Sequence, residues 1–201
     1  MDTRNPLMTE KLEKALRQAS IWHRRQNRKA SDIPYVEHAF GVAMILDRAR
    51  FDEDTVIAGL LHDVVEDTEV TVGQVEADFG VEVAATVKHC TEVKLDAEGR
   101  KRPWIDRKRD HLAAAAEATV PARAVMLADK LHNLLSIVVD HNAGRPVWSF
   151  FNTGRAEVLW YYHAMIDRLG TGDPRLEALA GRCREALAAV ENLGEPDQKN
   201  G

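Results

Sequence analysis

Two adjacent pairs of ionisable side chains interrupt the apolar run GLLHDVVEDTEVT at residues 59–71: His62 with Asp63, and Glu66 with Asp67. If the run is helical, His62 lies one turn before Glu66 and Asp63 one turn before Asp67, so each pair shares a helix face. Charged groups buried among leucine and valine lose hydration and need compensating partners. A divalent cation bound by imidazole and carboxylate, or a salt-bridge network with arginines, would supply them. This run alone leaves both possibilities open.

Two more ionisable residues lie in apolar helical segments elsewhere in the chain. His38 stands near the start of YVEHAFGVAMIL, and Asp129 stands inside AVMLADKLHNLLSIV. Taken singly, such residues are more often satisfied core groups or solvated helix edges. Together with His62 and Asp63 they supply two imidazoles and two carboxylates from three helices, a donor set suited to manganese, iron or a similar divalent ion. The combination favours a metal site.

The segments that must position these residues carry apolar side chains at helical spacing. We find no alternating run of convincing length that would predict a strand, so the predicted fold class is all-α. A capping box at Thr71 and Gln74 predicts a short helix that ends near Gly80. The other predicted helices cover residues 9–26, 36–49, 52–67, 81–92, 104–118, 121–141, 148–169 and 173–192.

Length and composition limit the class of protein. A chain of 201 residues with 45% hydrophobic content fits one large domain with a sizeable core. No apolar run approaches the roughly 20 residues of a membrane span, and the first residues lack a signal-peptide core, which predicts a cytoplasmic protein. Cys90 and Cys183 lie outside any CxxC pattern, which argues against a disulfide framework or a cysteine zinc site. The net charge of −5 predicts no general attraction to nucleic acid.

Four motifs together resemble a known family. RKASDIPYVEHAFGVA, LLHDVVEDT, FGVEVAATVKHCTEVK and VMLADKLHNL are similar to the hydrolase domain of the RelA/SpoT superfamily, within the HD-domain metal-dependent phosphohydrolases. The single-domain small alarmone hydrolases are the most similar branch, and the resemblance covers residues 10–140. A lone HD dipeptide arises by chance, but HDxxEDT with an upstream PYxxH and a downstream LADKLHN does not.

The resemblance implies a fold and an activity. It implies one HD-domain helical bundle over residues 1–201, with helices at 148–192 completing the core. It also implies hydrolysis of the 3′-pyrophosphate of guanosine 3′,5′-bis(diphosphate) or its pentaphosphate relative, usually with Mn²⁺. The partner expected is therefore a small nucleotide, with neither nucleic acid nor membrane involved; the oligomeric state is not predicted.

The resemblance also assigns roles to individual residues around the metal. His38, His62, Asp63 and Asp129 match the family's metal ligands. Glu66 and Asp67 match the family pair that acts on the water attacking the phosphorus. From the residues alone, this acidic pair could instead form salt bridges at a helix end.

Five residues match or suggest substrate contacts. Arg28 and Lys29 match an Arg-Lys pair in which the arginine stacks on guanine and the lysine reaches the sugar-phosphate region. Asn133 matches the asparagine that binds the nucleoside. Lys108 and Arg109 in DRKRDH form a second basic cluster that could receive the diphosphate groups. Solvated basic helix faces are the alternative for both clusters.

Departures from the family pattern affect the substrate rather than the metal. Ala39 replaces a frequent proline, Met126 replaces a frequent lysine, and SDIP replaces a glycine-containing entry to PY. Adenine alarmones, or NADPH losing its 2′-phosphate, are therefore alternative substrates. A non-catalytic nucleotide sensor is a further alternative. The chain retains every metal ligand and the acidic pair, which argues against this alternative.

Overall fold

The computed structural model describes residues 8–29, 31–151 and 153–194, with the backbone alone for Phe150. Contacts divide the chain into two compact units, an N-terminal unit of residues 1–91 and a C-terminal unit of residues 92–201. Each unit contains buried apolar helices of its own. That residues 1–201 form one HD domain remains a prediction.

The N-terminal unit is built around its third helix. Seven consecutive residues, 55–61, are buried in α3, which packs against α1, α2 and α6. Asp52 begins this helix by accepting a hydrogen bond from the backbone N–H of Thr55, and the predicted capping box of Thr71 and Gln74 begins α5. The helices of this unit are α1 Glu10–Trp22, α2 Val36–Arg48, α3 Glu53–Leu61, α4 Val64–Asp67, α5 Val72–Phe79 and α6 Val81–Cys90.

The C-terminal unit is organised by one long helix. This helix, α8, packs against α9 and α10, while α7 packs against α9. Pro121 occupies its first turn, where the missing N–H of proline costs no helical hydrogen bond. The helices are α7 Trp104–Ala116, α8 Val120–Asn142, a 3₁₀ turn Val147–Phe150, α9 Arg155–Leu169 and α10 Pro174–Glu191.

The all-α prediction is confirmed. Within the described ranges β pairing is limited to two isolated bridges, Asn27 with Pro34 and Leu95 with Lys101. None of the described helices combines the length and the apolar composition that crossing a membrane requires.

Two predicted helices are interrupted. The helix predicted over 52–67 breaks at His62 and Asp63, where Asp63 has φ −99° and ψ −5°. Aspartate is a weak helix former because its short polar side chain engages nearby groups instead of supporting the helical backbone. The helix predicted over 148–169 becomes a 3₁₀ turn followed by α9, which begins after Gly154 in an extended conformation with ψ 161°.

Candidate active site

Two buried histidines meet where α2 packs on α3. His38 lies in the first turn of α2, and His62 directly follows the last residue of α3. Their ring centroids are 5.1 Å apart, and one nitrogen of each ring lies within 4.8 Å of the other. Both side chains are almost fully buried. The packing of these two helices therefore places two potential nitrogen ligands side by side.

The tautomer of His62 follows from its hydrogen bond. Its Nδ1 lies 2.8 Å from the backbone carbonyl oxygen of Gly59. A carbonyl oxygen can only accept, so Nδ1 carries a proton and donates it, and in the neutral ring the lone pair therefore lies on Nε2. A hydrogen bond of this kind is the usual way in which proteins orient a metal-ligating histidine.

Asp63 completes a three-residue group in the N-terminal unit. Its Oδ2 lies 2.9 Å from Nε2 of His62 and 3.7 Å from Nε2 of His38. When the His62 ring is neutral, its Nε2 presents a lone pair to a carboxylate oxygen, an arrangement that a bound cation would satisfy. Two ligand atoms that each lie about 2.1 Å from one ion, with a right angle at the ion, are about 3 Å apart. This is close to the 2.9 Å between Nε2 of His62 and Oδ2 of Asp63. The donors present therefore fit a divalent cation.

Tyr35 orients the Asp63 carboxylate. Its hydroxyl donates a short hydrogen bond to Oδ2 of Asp63. The Tyr35 ring packs between His23 and His38, with ring centroids 4.9 Å and 5.7 Å away, respectively. Sequence reasoning did not single out Tyr35, although it is the tyrosine of the PYxxH motif.

The acidic pair Glu66 and Asp67 lies in the short helix that follows Asp63. Both side chains are partly exposed in α4, and the backbone N–H of Asp67 donates to the Asp63 carbonyl at 2.9 Å. This one helical bond keeps Asp67 about one turn beyond Asp63, although the longer helix is broken. The pair is thus accessible and directly follows the histidine-aspartate group.

Arg28 and Lys29 lie in the loop between α1 and α2. The Arg28 guanidinium carbon lies 5.9 Å from the Tyr35 ring centroid, within the range of a cation–π contact. The Arg28 backbone N–H donates to the Ile33 carbonyl at 2.8 Å, which closes the loop. Lys29 is exposed. The loop therefore holds Arg28 against the tyrosine that binds Asp63.

In the C-terminal unit, both carboxylate oxygens of Asp129 accept hydrogen bonds on α8. Lys130 Nζ lies 2.5 Å from Oδ2, and Asn133 Nδ2 lies 2.5 Å from Oδ1. Burial by itself would lower the pKa of Lys130, but the adjacent Asp129 carboxylate outweighs it and holds that pKa well above its usual value. Hydrogen bonds to both of its oxygens therefore fix the orientation of the Asp129 carboxylate.

Lys108 and Arg109 have different surroundings on α7. Lys108 forms a short ion pair with the carboxylate of Glu92, and its Nζ lies 4.5 Å from the Tyr161 ring centroid. Burial would raise the pKa of Glu92, but hydrogen bonding with His111 and the charge of Lys108 hold it well below its usual range. Arg109 is exposed. Lys108 therefore lies in a partly buried ionic cluster, whereas Arg109 lies on a solvated helix face.

Comparison with known proteins identifies similar chains. The HD-domain family matches residues 15–147. The mouse protein named guanosine-3′,5′-bis(diphosphate) 3′-pyrophosphohydrolase MESH1 is 41% identical over 115 residues, 56% of this chain and 61% of the mouse protein. The Drosophila melanogaster protein of that name is 38% identical over 138 residues, 67% of this chain and 73% of the fly protein.

A solved structure is also similar. It is described as a metazoan ortholog of SpoT that hydrolyzes ppGpp, and it is 29% identical with a TM-score of 0.74. The similarity covers 90% of this chain and 97% of the other. The matched region of the HD-domain family contains every candidate site residue described above.

Proposed function

The chain belongs to the HD-domain family, and from that premise we propose that it hydrolyses guanosine 3′,5′-bis(diphosphate) or its pentaphosphate relative. The bond broken joins the ribose 3′ oxygen to phosphorus, and pyrophosphate is released. The observation that carries the proposal is the group of His38, His62 and Asp63 beside the acidic pair, in a chain similar to proteins named for this activity. The match spans 61% of the length of the mouse relative.

The HD domain implies a divalent metal ion. We propose Mn²⁺ as this ion and His38, His62, Asp63 and Asp129 as its ligands, with the match of LADKLHN to the family supporting Asp129. When bound, such an ion lowers the pKa of the attacking water and offsets the charge that builds on the phosphoryl oxygens.

The acidic pair supplies the base in this proposal. A carboxylate of Glu66 or Asp67 accepts a proton from the attacking water as the new oxygen–phosphorus bond forms. Both side chains are partly exposed and are therefore accessible to water. If Glu66 and Asp67 instead only form salt bridges at the helix end, replacing them should leave turnover unchanged.

The substrate contacts are proposed from the family match. Arg28 stacks on the base, Lys29 reaches the sugar-phosphate region, and Asn133 binds the nucleoside. Guanidinium suits stacking because it is planar, permanently charged and weakly hydrated. Lys108 and Arg109 are proposed to receive diphosphate groups. For Lys108, this role requires the nucleotide to compete with the Glu92 carboxylate.

Steady-state kinetics with Mn²⁺ test the proposed function. We expect kcat/KM to be highest for guanosine 3′,5′-bis(diphosphate), with pyrophosphate as product, compared with its adenine counterpart and NADPH. If kcat/KM for the adenine counterpart or for NADPH is about tenfold above that for the guanine nucleotide, the proposed substrate is wrong. Nucleotide binding without turnover of any of the three would identify a sensor and overturn the enzymatic proposal. We further infer a cytoplasmic enzyme without nucleic-acid or membrane partners.

A further inference from the structure

The side chain of Gln26 connects the loop before α2 to the acidic pair. Gln26 follows α1, two residues before Arg28. Its Oε1 lies 2.6 Å from Nδ1 of His23, and its Nε2 donates to the backbone carbonyl oxygen of Asp67 at 2.6 Å. Residues 26 and 67 are thus joined directly although they are 41 positions apart.

The carbonyl of Asp67 determines which group donates in each of these two hydrogen bonds. The Asp67 carbonyl can only accept, so the amide nitrogen of Gln26 faces it, and the amide oxygen must face His23. Nδ1 of His23 therefore carries a proton and donates it. His23 is 1% exposed, and hydrogen bonds are stronger where water is excluded.

Helix α4 needs such a partner. It has only four residues, and the last carbonyl groups of a helix receive no hydrogen bond from the N–H groups of that helix. Gln26 supplies the missing donor to the carbonyl of Asp67, the last residue of α4. The backbone carbonyl of Gln26 also accepts from the Tyr35 N–H at 2.8 Å, and the Tyr35 hydroxyl holds Asp63. Residue 26 is therefore linked to Asp67 directly and to Asp63 through Tyr35.

We propose that Gln26, held in place by His23, is a positioning residue that sets the orientation of Asp67 relative to the attacking water. This inference rests on the proposed function of Asp67. Gln26 acts through the Asp67 backbone rather than on the nucleotide, so it contributes to the chemical step and not to substrate binding.

The substitution Gln26→Met tests the proposal because it preserves side-chain length and removes both hydrogen bonds. We expect kcat to fall about tenfold at saturating Mn²⁺, since small misplacements of a catalytic group are costly, while KM stays within about twofold. Gln74→Met is the matched control. It removes a capping-box hydrogen bond in the same unit without touching the acidic pair, and it should leave kcat unchanged.

A double-mutant cycle separates positioning from general destabilisation. In an Asp67→Asn background, Gln26→Met should produce little further loss of kcat, because the residue it positions no longer accepts a proton. Equal losses in both backgrounds, or a rise in KM with kcat unchanged, would overturn the proposal. Gln26→Glu should lower kcat at least as much as Gln26→Met, because an acceptor then faces the Asp67 carbonyl.

Nitrogen NMR of the His23 ring tests the geometry without any variant. We expect the Nδ1–H tautomer in the wild-type protein, and the Nε2–H tautomer would overturn the proposal. Failure of the inference is distinguishable from failure of the proposed function. An active wild type with an unimpaired Gln26→Met variant refutes only the positioning role, whereas a wild type without turnover refutes both.

Discussion

Gly59 lies on α3, three residues before His62, at the contact between α3 and α2. A Cβ added at Gly59 would lie 2.4 Å from Cδ1 of Leu46, 3.3 Å from Cγ1 of Val42 and 3.7 Å from Cα of Ala43. Carbon atoms in good contact are about 3.5–4.0 Å apart, so Gly59→Ala requires a displacement of about 1 Å. Leu46 is fully buried, so its side chain has no solvent-exposed space into which it can move. The Leu46 side chain must therefore shift within the packed core, or the two helices must separate.

Two opposing effects set the stability change. Overpacking a buried site costs about 1–3 kcal/mol, and replacing a helical glycine by alanine contributes about 1 kcal/mol in the other direction. The net expectation is a loss of about 1 kcal/mol, which lowers Tm by about 2–4 °C in a chain of this size. His38 lies on α2 and His62 directly follows α3, so a shift at this helix contact should also lower Mn²⁺ affinity about tenfold, as for disturbed metal-site supports generally.

Urea unfolding with the metal chelated and Mn²⁺ titration by calorimetry measure the two effects. Gly181→Ala in α10 is the matched control, since a Cβ there meets no atom within 4 Å. It should raise the unfolding free energy by up to about 1 kcal/mol and leave Mn²⁺ binding unchanged. Adding Leu46→Val to Gly59→Ala should recover part of both losses. If Gly59→Ala is as stabilising as the control and binds Mn²⁺ normally, the packing argument is refuted.

Three other predictions concern the site and one helix cap. His62→Ala should abolish Mn²⁺ binding in metal analysis, and retained binding would remove His62 from the ligand set. Glu66→Gln and Asp67→Asn should each lower kcat by about 10²-fold while metal and nucleotide still bind; loss of metal would contradict the proposed roles. A side-chain hydrogen bond from Arg175, and then its backbone N–H, lower the pKa of Asp173 from 3.8 to about 2. Its ionisation therefore stabilises α10 above pH 3.8 and ceases to do so as the pH falls through about 2, so the stability advantage of the wild type over Asp173→Asn should disappear across that interval in urea unfolding.

Local signals in the sequence determined most of the secondary structure. Apolar spacing predicted the all-α class, and the Thr71 and Gln74 capping box appears in the structure as predicted. Such signals act between residues within one or two turns, so a linear pattern contains them. The motif order also selected His38, His62 and Asp63, which the structure brings together in one unit. Their role as metal ligands, and that of Asp129, remains a prediction.

Tertiary structure decided which distant groups meet. Nε2 of His62 faces Asp63 because the Gly59 carbonyl holds the other ring nitrogen at the end of α3. Gln26 reaches Asp67 because the loop after α1 passes beside α4, and no periodicity in either segment predicts that approach. Lys108, which lies in a charged run of the sequence, forms an ion pair with the partly buried Glu92. Contacts of this kind depend on how helix faces pack, which is determined by side-chain shape across separate segments rather than by spacing within one.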